Sequence, residues 1–136
     1  MTDDALIKSA IEAREGAYAP YSHFRVGASA KLNDGRVFSG VNMENASFGL
    51  TVCAERNAMA TAVCEGMQPG DLAVIAIAAE AAAPTPPCGA CRQVLMEFGT
   101  AATRVLLHNV ADGSELEMSL GELLPGAFLR SSMPGQ

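Results

Sequence analysis

Three cysteines and one glutamate in this sequence have the types and spacing of a catalytic metal centre. Cys88 and Cys91 stand three apart in Pro87-Cys88-Gly89-Ala90-Cys91-Arg92, so at a helix start both sulfurs point the same way within one turn. Cys53 opens a second expected helix in Thr51-Val52-Cys53-Ala54-Glu55-Arg56. Two helix N-termini aimed at one point favour thiolates through their free N–H groups and positive dipole ends. Three thiolates occupy three corners of a tetrahedron and leave the fourth open, the layout of catalytic rather than structural zinc. The fourth cysteine, Cys64, lies eleven residues beyond Cys53. At the helical rise that is about 16 Å away, too far to join them, and Cys64 reads as a buried free thiol.

Zinc lowers the pKa of a water it holds from about 15.7 toward about 7, and three thiolates oppose this by making the centre net negative. Arg56, three residues from Cys53 on the same helical face, is the candidate to offset that charge. Glu55 is the candidate proton carrier, beside the metal and not on it. On an ideal helix Cys53 and Glu55 face nearly opposite sides, so both reach one point only if Cys53 sits at the helix cap. That geometry is the expectation. An isolated Cys-x-x-Cys is equally a redox dithiol or half a zinc knuckle, and Cys53-Ala54-Glu55 argues against both. His23 and His108 have no metal-ligand spacing and receive no role. Arg92 reads as a helix-start or interface residue outside the site.

The elements that must position these groups are legible in the pattern. Asp3 and Asp4 suit a helix start, and Ile7, Ile11 and Tyr18 fall on one helical stripe that Ala19-Pro20 ends. Phe24, Val26, Ala28, Ala30 and Leu32 alternate with Arg25, Gly27, Ser29 and Lys31, which predicts a half-buried strand. Asn33-Asp34-Gly35 turns the chain into a second strand over about 36–42. A helix is expected over about 53–65, and a strand apolar on both faces over 72–79. The Pro-rich loop 83–87 leads to a helix over about 88–98. Strands follow at 104–110 and 115–118, and Ser119-Leu120-Gly121-Glu122 is a capping box for a short last helix. The order αββαβαββα predicts an α/β fold, a three-layer αβα sandwich on a mixed five-stranded sheet, with residues 1–136 as one domain.

Composition narrows the partners. Apolar residues are 49% of the 136, enough for a core without disulfides. With 15 acidic against 9 basic side chains the net charge is −6, which disfavours nucleic-acid partners but not a small neutral ligand. The opening Met1-Thr2-Asp3-Asp4 has no basic region or apolar run of a secretory signal, and 72–79 is too short to span a bilayer. No membrane association and a reducing, cytoplasmic location are the expectation.

A Cys two before a Glu, followed by Pro-Cys-x-x-Cys, is similar to the signature of zinc nucleobase deaminases. The chain further resembles the small, homotetrameric, three-cysteine cytidine deaminases from about Tyr18 to Phe128. The resemblance runs through Ala19-Pro20-Tyr21-Ser22, Phe24-Arg25-Val26-Gly27-Ala28, Gly40-Val41-Asn42-Met43-Glu44-Asn45, both cysteine motifs and Leu123-Leu124-Pro125-Gly126-Ala127-Phe128. It implies hydrolytic deamination of free cytidine and 2′-deoxycytidine in pyrimidine salvage, with one zinc ion per subunit and sites shared across a homotetramer. It implies that Asn42 and Glu44 bond the ribose 3′-hydroxyl, that Phe24 packs on the base, and that backbone at Cys53 and Ala54 reads the base carbonyl. Ala46 belongs to the same implied substrate set, and Phe128 of a neighbouring subunit covers the ring. Phe48 departs from the family, which often has Tyr there to hold the ribose 5′ end. The related deaminases of another aminopyrimidine, blasticidin S, differ at both Asn42-Met43-Glu44-Asn45 and Arg56, so this chain fits them poorly.

Overall fold

The computed structural model describes residues 1–135. Its first helix, α1 (Asp3–Arg14), starts where Thr2 Oγ1 accepts from the Ala5 N–H, with Asp3 and Asp4 in the positive first turn. Two antiparallel strands follow, β1 (Val26–Leu32) and β2 (Val37–Val41), joined through Asn33-Asp34-Gly35 with Gly35 at φ 91°. Then come α2 (Ala54–Cys64), β3 (Leu72–Ala79), α3 (Gly89–Phe98), β4 (Arg104–Asn109), β5 (Glu115–Ser119) and α4 (Leu120–Leu123). The Ser119–Glu122 capping box forms as its sequence specifies.

The sheet order is β2-β1-β3-β4-β5. Within this sheet β3 and β4 run parallel and the other neighbouring strands antiparallel, so the sheet is mixed, and α3 is the helix in the crossover between β3 and β4. On one face α1 packs Leu6 and Ala10 against Val74, Ala76, Ala78 and Leu106. On the other, α2 and α3 bury Ala58, Met59, Ala62 and Leu95 against Ala28, Ala30, Ile75, Ile77 and Leu107. The result is the expected three-layer αβα arrangement. No helix among the described residues is long and apolar enough to cross a membrane.

Three local expectations are corrected. α1 stops at Arg14, so Tyr18 lies outside it, bridging to Met43, and the stripe that reaches the core is Leu6 and Ala10 with Ile7 and Ile11 flanking. β1 is not half-buried: Gly27 and Ser29, on the face opposite Ala28 and Ala30, are covered by α1. A Cβ at Gly27 would collide with the Ala10 carbonyl and the Arg14 backbone, so only glycine permits this helix to sit so low on the sheet. Cys64, in the last turn of α2, is exposed and not buried.

Candidate active site

Cys53 is the N-cap of α2 and Cys88 the N-cap of α3, each with extended backbone (ψ 156° and 167°), while Cys91 lies in the first turn of α3. Neither sulfur makes a cap bond to the backbone N–H groups of its helix, so both are free to face each other. Cys53 Sγ lies 3.9 Å from Cys88 Sγ, which lies 3.4 Å from Cys91 Sγ, and all three fall within 4.8 Å of one another. Tetrahedral Zn–S bonds of about 2.3 Å set sulfurs about 3.8 Å apart, so the cradle fits that ion. All three cysteines are free thiols rather than disulfides.

The electrostatics point the same way. The Cys53 thiol is drawn down to about 5, first by a hydrogen bond from Cys91 and then by Arg56 and Cys88, against its partial burial. The same bond, with burial and the Glu55 charge, pushes Cys91 well above the usual thiol range. One sulfur ionises readily, and three thiolates side by side require a cation between them. Arg56 Nη2 lies 3.6 Å from Cys53 Sγ, and that contact raises the guanidinium's own affinity for its proton. Arg56 Nε is buried without a partner among the described residues.

Glu55 occupies the second position of α2 and is 5% exposed. Burial raises its carboxyl above the ordinary range, and the charge on Cys53 adds to this. Because Cys53 caps the helix instead of lying within it, both side chains line one cavity of about 240 Å³. Phe24, Asn42, Glu44, Ala54 and Cys88 line it too.

The sugar-side candidates are held by specific bonds. Asn42, 7% exposed, accepts at Oδ1 from the Val26 N–H (2.9 Å) and donates from Nδ2 to the Phe24 carbonyl (2.7 Å). Glu44 Oε1 accepts from the N–H groups of Tyr21 (2.9 Å) and Ser22 (3.1 Å), and Oε2 from the Ser22 hydroxyl. These bonds hold its carboxyl below the ordinary range, the Ser22 hydroxyl contributing most. Phe48, 73% exposed, lies outside the cavity, in an adjoining hollow that shares Glu44 and Thr51 and sets its ring edge-on to Tyr21. Ala46 is exposed and lines neither hollow. Phe128, 61% exposed, sits beyond α4 beside Gln93 and Met96, away from this chain's own cavity.

Several wall residues had no sequence signal. Ile77 and Ala79 end β3 and read as core, while Thr85 and Pro86 read only as loop, although their place just before Cys88 marks them. Asn57 was also missed. Its Nδ2 donates to the Val41 carbonyl at 2.7 Å, and its position two after Glu55 is the clue.

Residues 1–107 match the model of the cytidine and deoxycytidylate deaminase zinc-binding region. The chain belongs to this deaminase family. It is 52% identical to a cytidine deaminase of Halalkalibacterium halodurans over 133 residues, 98% of each chain. It is 41% identical to one of Sporosarcina psychrophila, over 98% of this chain and 96% of that one. A solved cytidine deaminase from Burkholderia pseudomallei superposes with a TM-score of 0.91 at 52% identity, covering 94% of this chain and all of that one. One from Mycobacterium tuberculosis gives 0.78 at 40%, over 94% and 98%. The deaminase family binds zinc, and Cys53, Cys88 and Cys91 are positioned to hold the ion.

Proposed function

We propose that this deaminase hydrolyses the 4-amino group of free cytidine and 2′-deoxycytidine, releasing ammonia and leaving uridine or 2′-deoxyuridine. The observation that carries the reading is a buried carboxyl, Glu55, opening onto the same cavity as Cys53 and Cys88. The relatives' names supply the substrate class.

Zinc held by Cys53, Cys88 and Cys91 supplies the Lewis acidity that makes water a nucleophile near neutral pH. Glu55 takes a proton from the attacking water, delivers it to ring N3, and then carries the second water proton to the departing amino group, which leaves as ammonia. A carboxyl with raised proton affinity suits a group that must both take and give a proton. Arg56 offsets the negative charge of the sulfurs through its contact with Cys53.

Phe24 packs on the base, and the backbone at Cys53 and Ala54 reads its carbonyl. Asn42 and Glu44 hold the ribose 3′-hydroxyl. After its two bonds to the main chain, the Asn42 amide retains one N–H and one lone pair for that hydroxyl. Glu44 retains acceptor capacity in the same way. A site with such groups rejects the bare base, which would leave them unpaired. Ala46, Phe48 and Phe128 act at the boundary with a second subunit of a homotetramer, with Phe128 covering the neighbour's ring. The exposure of Phe48, Leu50 and Phe128 supports burial of these side chains in such an assembly. The working compartment in this reading is the cytoplasm, in keeping with four unpaired cysteines.

An ultraviolet assay of cytidine turnover on wild type and Glu55→Ala, with zinc measured on both, tests the reading. Wild type is expected to turn over cytidine, and the variant to keep its zinc while losing at least about 10²-fold in rate. A zinc-loaded Glu55→Ala protein with full activity would remove the proton-carrier role.

A further inference from the structure

Residues 80–88 connect β3 to α3, anchored at the β3 end where Ala81 exchanges two hydrogen bonds with the Asn109 side chain, and the following stretch 82–87 contains Pro84, Pro86 and Pro87, which have no N–H to donate. This loop brings Thr85 and Pro86 to the cavity wall and delivers Cys88. Among the described residues the stretch 82–87 makes one internal hydrogen bond, from Thr85 Oγ1 to the Ala83 carbonyl at 3.3 Å. It makes one bond to the rest of the molecule, and that bond comes from Arg92. Arg92 Nε donates to the Pro87 carbonyl at 2.7 Å.

The same guanidinium reaches a second segment. Its Nη1 donates to the carbonyl of Leu123, the last residue of α4, at 2.9 Å. The Arg92 backbone N–H also donates to the Cys88 carbonyl at 3.0 Å. The carbonyl before Cys88 and the carbonyl of Cys88 itself are therefore both fixed by the residue that follows Cys91. Cys88 makes no cap bond of its own and is exposed, so its backbone is held through the buried Pro87 before it and the two carbonyls that Arg92 binds. A guanidinium serves two carbonyls on different segments from one rigid plane, which a lysine ammonium on a flexible stem does not reproduce.

We infer that Arg92 is a positioning residue that holds Cys88 as a metal ligand by clamping the Pro-rich loop to the end of α4. The inference rests on Cys88 being a zinc ligand. Groups that orient metal ligands from outside the coordination sphere typically change metal affinity by about 10–100-fold when removed. Gln93 extends the clamp, because its Nε2 donates to the Phe128 carbonyl at 2.8 Å. Adjacent residues of α3 thus grip both ends of segment 123–128.

The test is zinc release into excess chelator, followed with a colorimetric zinc indicator, from loaded wild type, Arg92→Ala, Arg92→Lys, Cys88→Ser and Arg36→Ala. Arg36 is the control, since its Nη1 also donates to a backbone carbonyl, that of Glu65 at 2.7 Å, beyond the last turn of α2 and away from the sulfurs. Arg92→Ala is expected to release zinc about 10–100-fold faster than wild type, Arg92→Lys to fall between, and Arg36→Ala to match wild type. The gap in Tm between loaded and chelated protein should shrink in the Arg92 variants and in Cys88→Ser, and stay at the wild-type value in Arg36→Ala. Should Arg92→Ala fail to fold, Arg92→Lys carries the comparison. Release within twofold of wild type from the Arg92 variants, or equal acceleration in Arg36→Ala, would overturn the clamp. Unchanged zinc binding in Cys88→Ser would instead overturn the ligand set beneath it.

Discussion

Asn57 donates to the Val41 carbonyl across 2.7 Å, which ties the start of α2 to the end of β2. Cys53 caps that helix, and Asn42 and Glu44 follow that strand end, so one hydrogen bond spans the metal side and the proposed sugar side. Asn57→Ala should raise KM for cytidine roughly tenfold while kcat and zinc content change little, with a stability loss of about 1 kcal/mol. Steady-state kinetics with metal analysis checks this. An unchanged KM would show that the tie does not set the spacing.

Gly40 lies in β2 where α2 approaches most closely. A Cβ there would collide with the Ala58 N–H and the Ala54 carbonyl. Gly40→Ala is expected to destabilise the fold by about 1–3 kcal/mol, because backbone and not a flexible side chain stands in the way. Gly16→Ala, where the nearest atom is the Ala13 carbonyl at 3.5 Å, should stay within about 0.5 kcal/mol. Denaturant midpoints of the two variants provide the comparison.

Arg104 joins three elements, meeting Asp3 of α1 at 2.5 Å and Glu117 of β5 at 2.7 Å from its place at the start of β4. The Arg104 hydrogen bond holds the Asp3 carboxyl below its ordinary range. A lowered carboxylate pKa stabilises the fold above the unfolded value, about 4, and the contribution is lost as pH falls through the folded value. Asp3 is half exposed, so its share is under about 1 kcal/mol. Wild type should exceed Asp3→Asn in stability by a constant margin from about pH 5 to 7, and the margin should close below about pH 4. Urea melts at the two ends of that range decide it, since a margin that persists in acid would exclude the ion pair as its source.

Phe48 is exposed beside Tyr21 in the hollow that adjoins the cavity. Phe48→Tyr should lower KM for cytidine by about two- to tenfold at constant kcat, the range one added hydrogen bond supplies. The gain should vanish with 5′-deoxycytidine. Equal improvement on both substrates would mean the hydroxyl acts elsewhere.

Much of the architecture was readable because its signals are local. The 72–79 strand is apolar throughout and lies at the sheet centre, and Ser119 to Glu122 carries both halves of its capping box. The three sulfurs and Glu55 were readable because helix starts fix their directions within one turn. What failed depends on the opposite layer. Whether Gly27 and Ser29 face water or α1 is decided by where a helix ten or more residues away comes to rest. Asn57, Arg92 and Gln93 have the same character. Each bonds to a carbonyl at least five residues away in the chain, and no side-chain pattern announces a carbonyl. Cys64 departs from the usual sheltering of cysteine, lying exposed in the last turn of α2.

In the proposed reading, the placement of Cys53 and Cys88 at the starts of two helices, with Asn42 and Glu44 just past a strand terminus, separates reactivity from recognition along the chain. The sulfurs stand at helix starts, while Asn42 and Glu44 follow the end of β2 and are held by the main chain of Phe24 and Val26 and of Tyr21 and Ser22. On that reading, substitutions in the segment after β2 would rewrite which nucleoside is accepted and leave the sulfurs and Glu55 in place.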